Sequence, residues 1–311
     1  MLIFAEVWNG NGDQLPLVAR EALELPSPFA SAVRAGSPDV PPPRVVPVAR
    51  PLVSSTVTLG DGPRWVATMR ELLRTDVAAL EGIASFGSDL PGTTVRDFLL
   101  LGVREERASF FGGRLGACHR VVDPADPLRR GDEPIARNAA LQLMLVRQPC
   151  VAAARLTGAL PARNMDEALD RMFAGVPGDR VVWEGGSNLR PPRGEARIIS
   201  WIPSRLVVRT TSDRPAALVV TQAIGRGWSA RLDGAAVAIR PADVVLQAIE
   251  VPPGTHEIAL DYSVPRGAQG LALSIVGLVA CAAIFLLAPA TSYLRSRREK
   301  MAMARSRNTA E

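Results

Sequence analysis

Twenty consecutive residues from Leu271 to Ala290 carry no charge, and Arg295, Arg297, Arg298 and Lys300 follow within ten positions. At about 1.5 Å per residue such a run matches a hydrocarbon core roughly 30 Å thick, so the pattern predicts a transmembrane helix over residues 268–290. The alternative, a buried core helix, fits poorly with a run this long. After Ala290 the tail holds six basic residues against two acidic ones. That bias predicts a cytoplasmic tail at 291–311, drawn to anionic lipid, and an outward placement of residues 1–266 across an inner membrane. Gly270, Ser274, Gly277 and Cys281 recur at helical spacing along one side. Small residues let backbones approach closely, so other membrane helices, in a multi-helix membrane protein, are the expected partners.

The start of the chain, Met-Leu-Ile-Phe-Ala-Glu-Val-Trp, has no basic leader and is broken by Glu6. It does not read as a signal peptide; loss of an upstream membrane segment, a partner that handles insertion and a start placed too late are the alternatives, and a fragment of a larger membrane protein is the favoured expectation. The net charge of +5 does not point to nucleic acid, because basic residues are interspersed with acidic ones and the densest cluster is the tail. Of three cysteines, Cys281 lies in the apolar run; Cys118 and Cys150 could pair in an oxidising compartment or remain separately buried thiols.

Residues 37–52 contain six prolines and read as an extended connector, with Val45, Val46 and Val48 able to form a short edge strand. Trp65, Met69 and Leu72 recur at helical spacing, and Leu141 to Val146 reads as either a late helix or a buried strand, the strand being favoured. Asn164 is placed to cap a helix with Glu167 at its third position, its apolar stripe running through Met165, Ala168, Leu169, Met172 and Phe173. From Glu195 the period changes from 3.6 to 2: Leu206 and Val208 alternate with Val207 and Arg209, and Ile258, Leu260 and Tyr262 with Glu257, Ala259 and Asp261. Asp233-Gly234 and Pro252-Pro253-Gly254 supply turns. The expected architecture is an entry segment (1–29), an extracytoplasmic α/β or α+β domain (30–194), a β-sandwich-like module (195–266), the transmembrane helix and the tail.

No residue set reads as a catalytic apparatus. Gly10-Asn11-Gly12 lacks the further glycine and βαβ context of a nucleotide loop, and no Gly-Lys-Ser/Thr triplet occurs. The two histidines, His119 and His256, lie far apart, without the spacing of a zinc site. His119 beside Cys118 permits a thiol–imidazole pair in principle, but neighbours in a strand point to opposite faces, and a structural or surface role is the favoured expectation. Asp76, Glu81 and Asp89 fall near turns and read as solvated carboxylates. No metal or cofactor is expected. Trp228, flanked by Gly225 and Gly227, reads as a structural anchor rather than a sugar platform, with Asp233, Gly234 and His256 as structural turn residues.

Two stretches, Thr221 to Gly234 through Trp228 and Val251 to Tyr262 through His256, followed by the apolar run, resemble the C-terminal region of the bacterial YfhO-like membrane proteins, which are related to GT-C glycosyltransferases. Arg226 stands where that family usually has proline. The resemblance implies that a complete relative transfers sugar from a polyprenyl-phosphate donor through a multi-helix half not found here. By this reading the chain is a noncatalytic extracytoplasmic accessory part of such an enzyme; the alternative is a structural or accessory subunit of another envelope complex.

Overall fold

A computed structural model describes residues 27–36, 42–46, 84–85, 113–139, 142–202, 204–264, 267 and 269–283. The expectations for Gly10 to Gly12, Trp65 to Leu72, Asp76, Glu81, Asp89 and the basic tail fall outside these residues. Two compact units divide the chain, one ending at Asp261 and one beginning at Tyr262.

The first unit is α+β and contains two five-stranded sheets and a five-stranded barrel. Helix α1 (Pro28–Ala35) begins where the Ser27 hydroxyl accepts the Ala30 N–H, with Pro28 at the position where its missing N–H costs nothing. Its buried face, Phe29, Ala30 and Val33, packs on Val45, Val121, Leu143 and Leu145. These belong to a sheet of β1 (Arg44–Val46), β2 (Ala84–Ser85), β3 (His119–Val122), β4 (Glu133–Asn138) and β5 (Leu143–Arg147), in the order β2-β1-β3-β5-β4. β1 therefore lies inside the sheet, paired in parallel with both neighbours, and not at its edge.

Five strands close the barrel: β6 (Ala154–Ala162), β7 (Arg180–Glu184), β10 (Ala216–Ala223), β13 (Arg240–Ala242) and β14 (Leu246–Val251). Helix α2 (Met165–Ala174) links β6 to its parallel neighbour β7, as a parallel pair requires. Its cap is the one legible in the sequence: Asn164 Oδ1 accepts the Glu167 N–H, while the Glu167 carboxylate accepts the Arg163 N–H. Gly175, at φ 97°, ends the helix in a conformation that side-chain-bearing residues avoid. Ala168 and Met172 are buried against the barrel interior, which includes Trp183, Ala217, Val219 and Ala248.

The remaining strands, β8 (Gly194–Ile202), β9 (Arg205–Ser212), β11 (Trp228–Leu232), β12 (Ala235–Val237) and β15 (Gly254–Tyr262), form a sheet in the order β12-β11-β15-β9-β8. Leu206, Val208, Ile258 and Leu260 pack on the barrel residues Leu218, Val220, Ile249 and Val251. Strands β10 and β14 are thus covered on both faces, Ala217 and Val219 inward and Leu218 and Val220 outward. A strand buried on both sides has no polar face, which is why this segment reads as a continuous apolar run rather than an alternation.

In the second unit residues 269–283 are helical, and the side chains of 269–282 are exposed. Among the described residues no helix is long and apolar enough to cross a membrane. This corrects the expected transmembrane helix, and with it the inner-membrane topology with a cytoplasmic C terminus. The expected partners, other membrane helices and anionic lipid at the tail, lose their basis as well. On the stripe of Gly270, Ser274, Gly277 and Cys281, the Ser274 hydroxyl donates to the Gly270 carbonyl of its own helix, so its polar group needs no neighbouring helix.

Candidate functional site

Gly113 and Gly116 begin a segment that lies against residues 148–151. The Gly113 carbonyl accepts the N–H groups of Gly116 and Val151, the Cys118 carbonyl accepts the Gln148 N–H, and the buried Gln148 amide donates to the Ala117 carbonyl at 2.7 Å. A Cβ on Gly113 would run into the Pro149 carbonyl, and Gly116, at φ 88°, abuts the Thr221 side chain. Only glycine permits both approaches. A disulfide between Cys118 and Cys150 closes the same wall.

That wall bounds a cavity of about 530 Å³. Its other sides come from Arg44 and the two prolines before it, from Val151 to Ala154, from Ala196 to Ile198 on β8, and from Thr221 on β10. The volume lies in the range of small-molecule sites, roughly 300–1,000 Å³. Its polar lining is sparse. Arg44 and Arg197 are the charged residues among the described lining; Arg197 lies opposite Arg209 on the exposed face of β8, whereas its neighbours Ala196 and Ile198 turn to the core. Arg44 keeps some contact with solvent, yet desolvation of its guanidinium pulls its pKa down to about 10.

The strongest chemistry elsewhere is committed to holding the fold. Asp243, fully buried between β13 and β14, takes the Val182 N–H on Oδ1 at 2.9 Å. Arg114 reaches the same oxygen from Nη2 at 3.1 Å, and its Nε lies 2.9 Å from Oδ2, an ion contact without hydrogen-bond alignment. Arg155 Nη2 stands 3.8 Å from Oδ2; burial lowers the Arg155 pKa to about 10, the Asp243 charge opposing the shift and Arg114 adding to it. Arg120 and Asp132 form a second buried pair. His119 is 1% exposed, and neither ring nitrogen has a hydrogen-bond partner. Burial first, then the Arg147 charge, lowers its pKa to about 4, so the ring is neutral near pH 7.

The residues singled out in the sequence lie in separate places. Cys118 and Cys150 line the cavity, and with Cys118 oxidised no thiol faces His119. Trp228 is half-buried on the core between barrel and sheet, beside Trp201, Leu206 and Leu260; the cleft among these residues, about 10 Å³, has no room for a sugar. Asp233 (φ 48°) and Gly234 (φ 85°) make the turn between β11 and β12, both in the left-handed region. That turn is clamped to β15: Asp233 Oδ2 lies 2.7 Å from His256 Nδ1, and Oδ1 accepts the Glu257 N–H at 2.9 Å. Gly270, Ser274, Gly277 and Cys281 belong to the second unit. Arg44, Arg197 and Asp243 escaped sequence reading, although an aspartate inside Ala242-Asp-Val-Val245 is a local signal of a buried, paired acid.

The clamp is pH-dependent. His256 Nε2 faces the Pro253 carbonyl at 3.2 Å while Nδ1 faces Asp233, so both acceptors favour the doubly protonated ring and raise its pKa, the Asp233 bond most. The same contact, with the Glu257 N–H, lowers the pKa of Asp233. The histidine contribution is complete below its unfolded pKa of about 6.5 and disappears as pH rises through the raised folded value. The aspartate contribution is complete above about 4 and disappears as pH falls through its depressed value. Thermal melts from pH 3 to 9 should therefore show the largest gap between the native protein and His256→Gln between about pH 4 and 6.5. A gap independent of pH would dismiss the linkage.

No family model matches this chain, and no curated protein or solved structure matches it significantly. The resemblance to the YfhO-like, GT-C-related membrane proteins is thereby corrected: it has neither a matching family model nor, among the described residues, a membrane-crossing helix. The residues that suggested it, Trp228, Asp233, Gly234 and His256, are a core contact and a turn clamp, features that recur wherever a hairpin must be anchored to a sheet.

Proposed function

We propose that this chain is a noncatalytic accessory module that works by holding a small molecule in the cavity between β1, the segment 150–154 and β8. The cavity itself carries the reading: it is of ligand size, its walls are fixed by a disulfide and by glycine contacts, and its described lining is mostly apolar. Among the described residues Asp243 and Asp132, with almost no access to water, are engaged by arginines that join strands and loops. The Cys118–Cys150 bond supports work in an oxidising compartment. Sugar transfer came from the corrected resemblance alone and forms no part of the proposal.

The test is a thermal-shift screen of the oxidised chain against neutral, cationic and anionic amphiphiles, beside an assay for sugar transfer from a polyprenyl-phosphate donor. A ligand at a hundred times its Kd should add about 2.7 kcal/mol and raise Tm by about 5–10 °C, with no turnover. Transfer by the purified chain, or a Tm that no class of ligand moves, overturns the reading.

A further inference from the structure

We infer that the Cys118–Cys150 disulfide is a reaction site reached through the cavity, where it exchanges with small thiols that carry an apolar body. The inference goes beyond the binding role proposed above, because it needs the cavity but no resident ligand.

Thiol–disulfide exchange begins when a thiolate reaches a sulfur, so access decides which disulfides are labile, and exposed ones belong to that class. Here Cys150 is exposed, Cys118 is half-buried, and both line the cavity of about 530 Å³. A molecule that fills the cavity therefore lies against the bond. The surroundings select that molecule. Pro42, Pro43, Ala152, Ala154 and Ile198 present hydrocarbon, so a thiol with an alkyl or aryl body gains by leaving water.

The reaction balances without any further reagent. The thiolate attacks the sulfur of Cys150, the more accessible of the two; a new S–S bond forms there, the Cys118–Cys150 bond breaks, and its electron pair leaves on Cys118, which takes up the proton the thiol gave up. A second thiol attacking the sulfur of the first releases a small disulfide and leaves both cysteines reduced. Two thiols are then oxidised and one disulfide reduced. When no second thiol arrives, Cys118 attacks back and expels the first.

The fold keeps that return path open. The Gln148 N–H donates to the Cys118 carbonyl, the Gln148 amide to the Ala117 carbonyl, and the Val151 N–H to the Gly113 carbonyl. These bonds tie the two cysteine-bearing segments together, and none passes through sulfur. With the disulfide open they hold the thiols near each other, so the bond reforms without closing a 32-residue loop from a free chain.

The experiment uses the full chain with Cys281→Ser, so that no third thiol takes part. Butanethiol and 2-mercaptoethanol are each reacted with the folded, oxidised protein and with a linear cystine peptide, quenched by alkylation and mapped by peptide mass. The adduct should sit on Cys150, with Cys118 alkylated. Relative to its rate on the peptide, butanethiol should react with the folded protein about tenfold faster than 2-mercaptoethanol, the effect of two more carbons leaving water. Excess hexanol, which fills the cavity without reacting, should slow butanethiol severalfold. Ala152→Trp, at an exposed lining position, should do the same, and the hexanol measurement stands alone should that variant fold poorly. An adduct on Cys118, equal relative rates for the two thiols, a rate that hexanol leaves unmoved, or reduction that begins only in urea would overturn the assignment. Exchange with this full pattern while no amphiphile moves Tm would overturn the binding role alone; Tm shifts beside a bond that no small thiol opens would overturn the exchange alone.

Discussion

Asp243→Ala should destabilise the first unit by about 3–5 kcal/mol, the cost of breaking a buried ion pair by removing one partner. Arg114 and Arg155 would be left facing each other across a vacated site, and the Val182 N–H would lose its acceptor at the same time. The turn itself adds to the effect. Asp243 and Val244 have φ values of 44° and 69°, and a β-branched residue in the left-handed region is strained by about 1–3 kcal/mol. That conformation is held by the carboxylate on Val182 and by the Asp243 N–H donating to the Val182 carbonyl at 2.8 Å. Urea unfolding should therefore show a lower midpoint, and adding Arg114→Met and Arg155→Met to Asp243→Ala should recover part of the loss by removing the stranded cations. A change under 1 kcal/mol in the single variant would mean that water reaches this centre and that it does not lock the barrel.

Removing the Cys118–Cys150 disulfide should cost about 3–4 kcal/mol, the loop-closure value for a separation of 32 residues. Reduction of the native chain and the double variant Cys118→Ser/Cys150→Ser should agree in denaturant midpoint. Because the bond also walls the cavity, the reduced protein should bind its ligand more weakly. Equal stability of the oxidised and reduced forms would show that the Gln148 bonds alone hold this wall. Cys281 is exposed and unpaired, so a reagent that modifies thiols should label it in the oxidised protein without moving Tm.

Where a local interaction decides the structure, the sequence carries it openly. Asn164 and Glu167 announce the α2 start, Asp233-Gly234 the β11–β12 turn, and the alternation around Leu206 and Ile258 the strands that meet the core on one face. Each is a matter of a few neighbouring residues, so spacing alone suffices. The apolar run from Leu271 shows the opposite case. Its composition matches a lipid span, but hydropathy reports only what a segment tolerates, and among the described residues no helix is long and apolar enough to cross.

Tertiary structure alone decided which strands share a sheet, because hydrogen-bond partners such as Ala217 and Thr157 are set by long-range pairing that leaves little local mark. It also decided the charges. Arg114 meets Asp243 across 129 positions, and Arg155 approaches the same carboxylate from β6. Coulomb energy depends on the distance between charges and on the surrounding dielectric, neither of which is written along the chain.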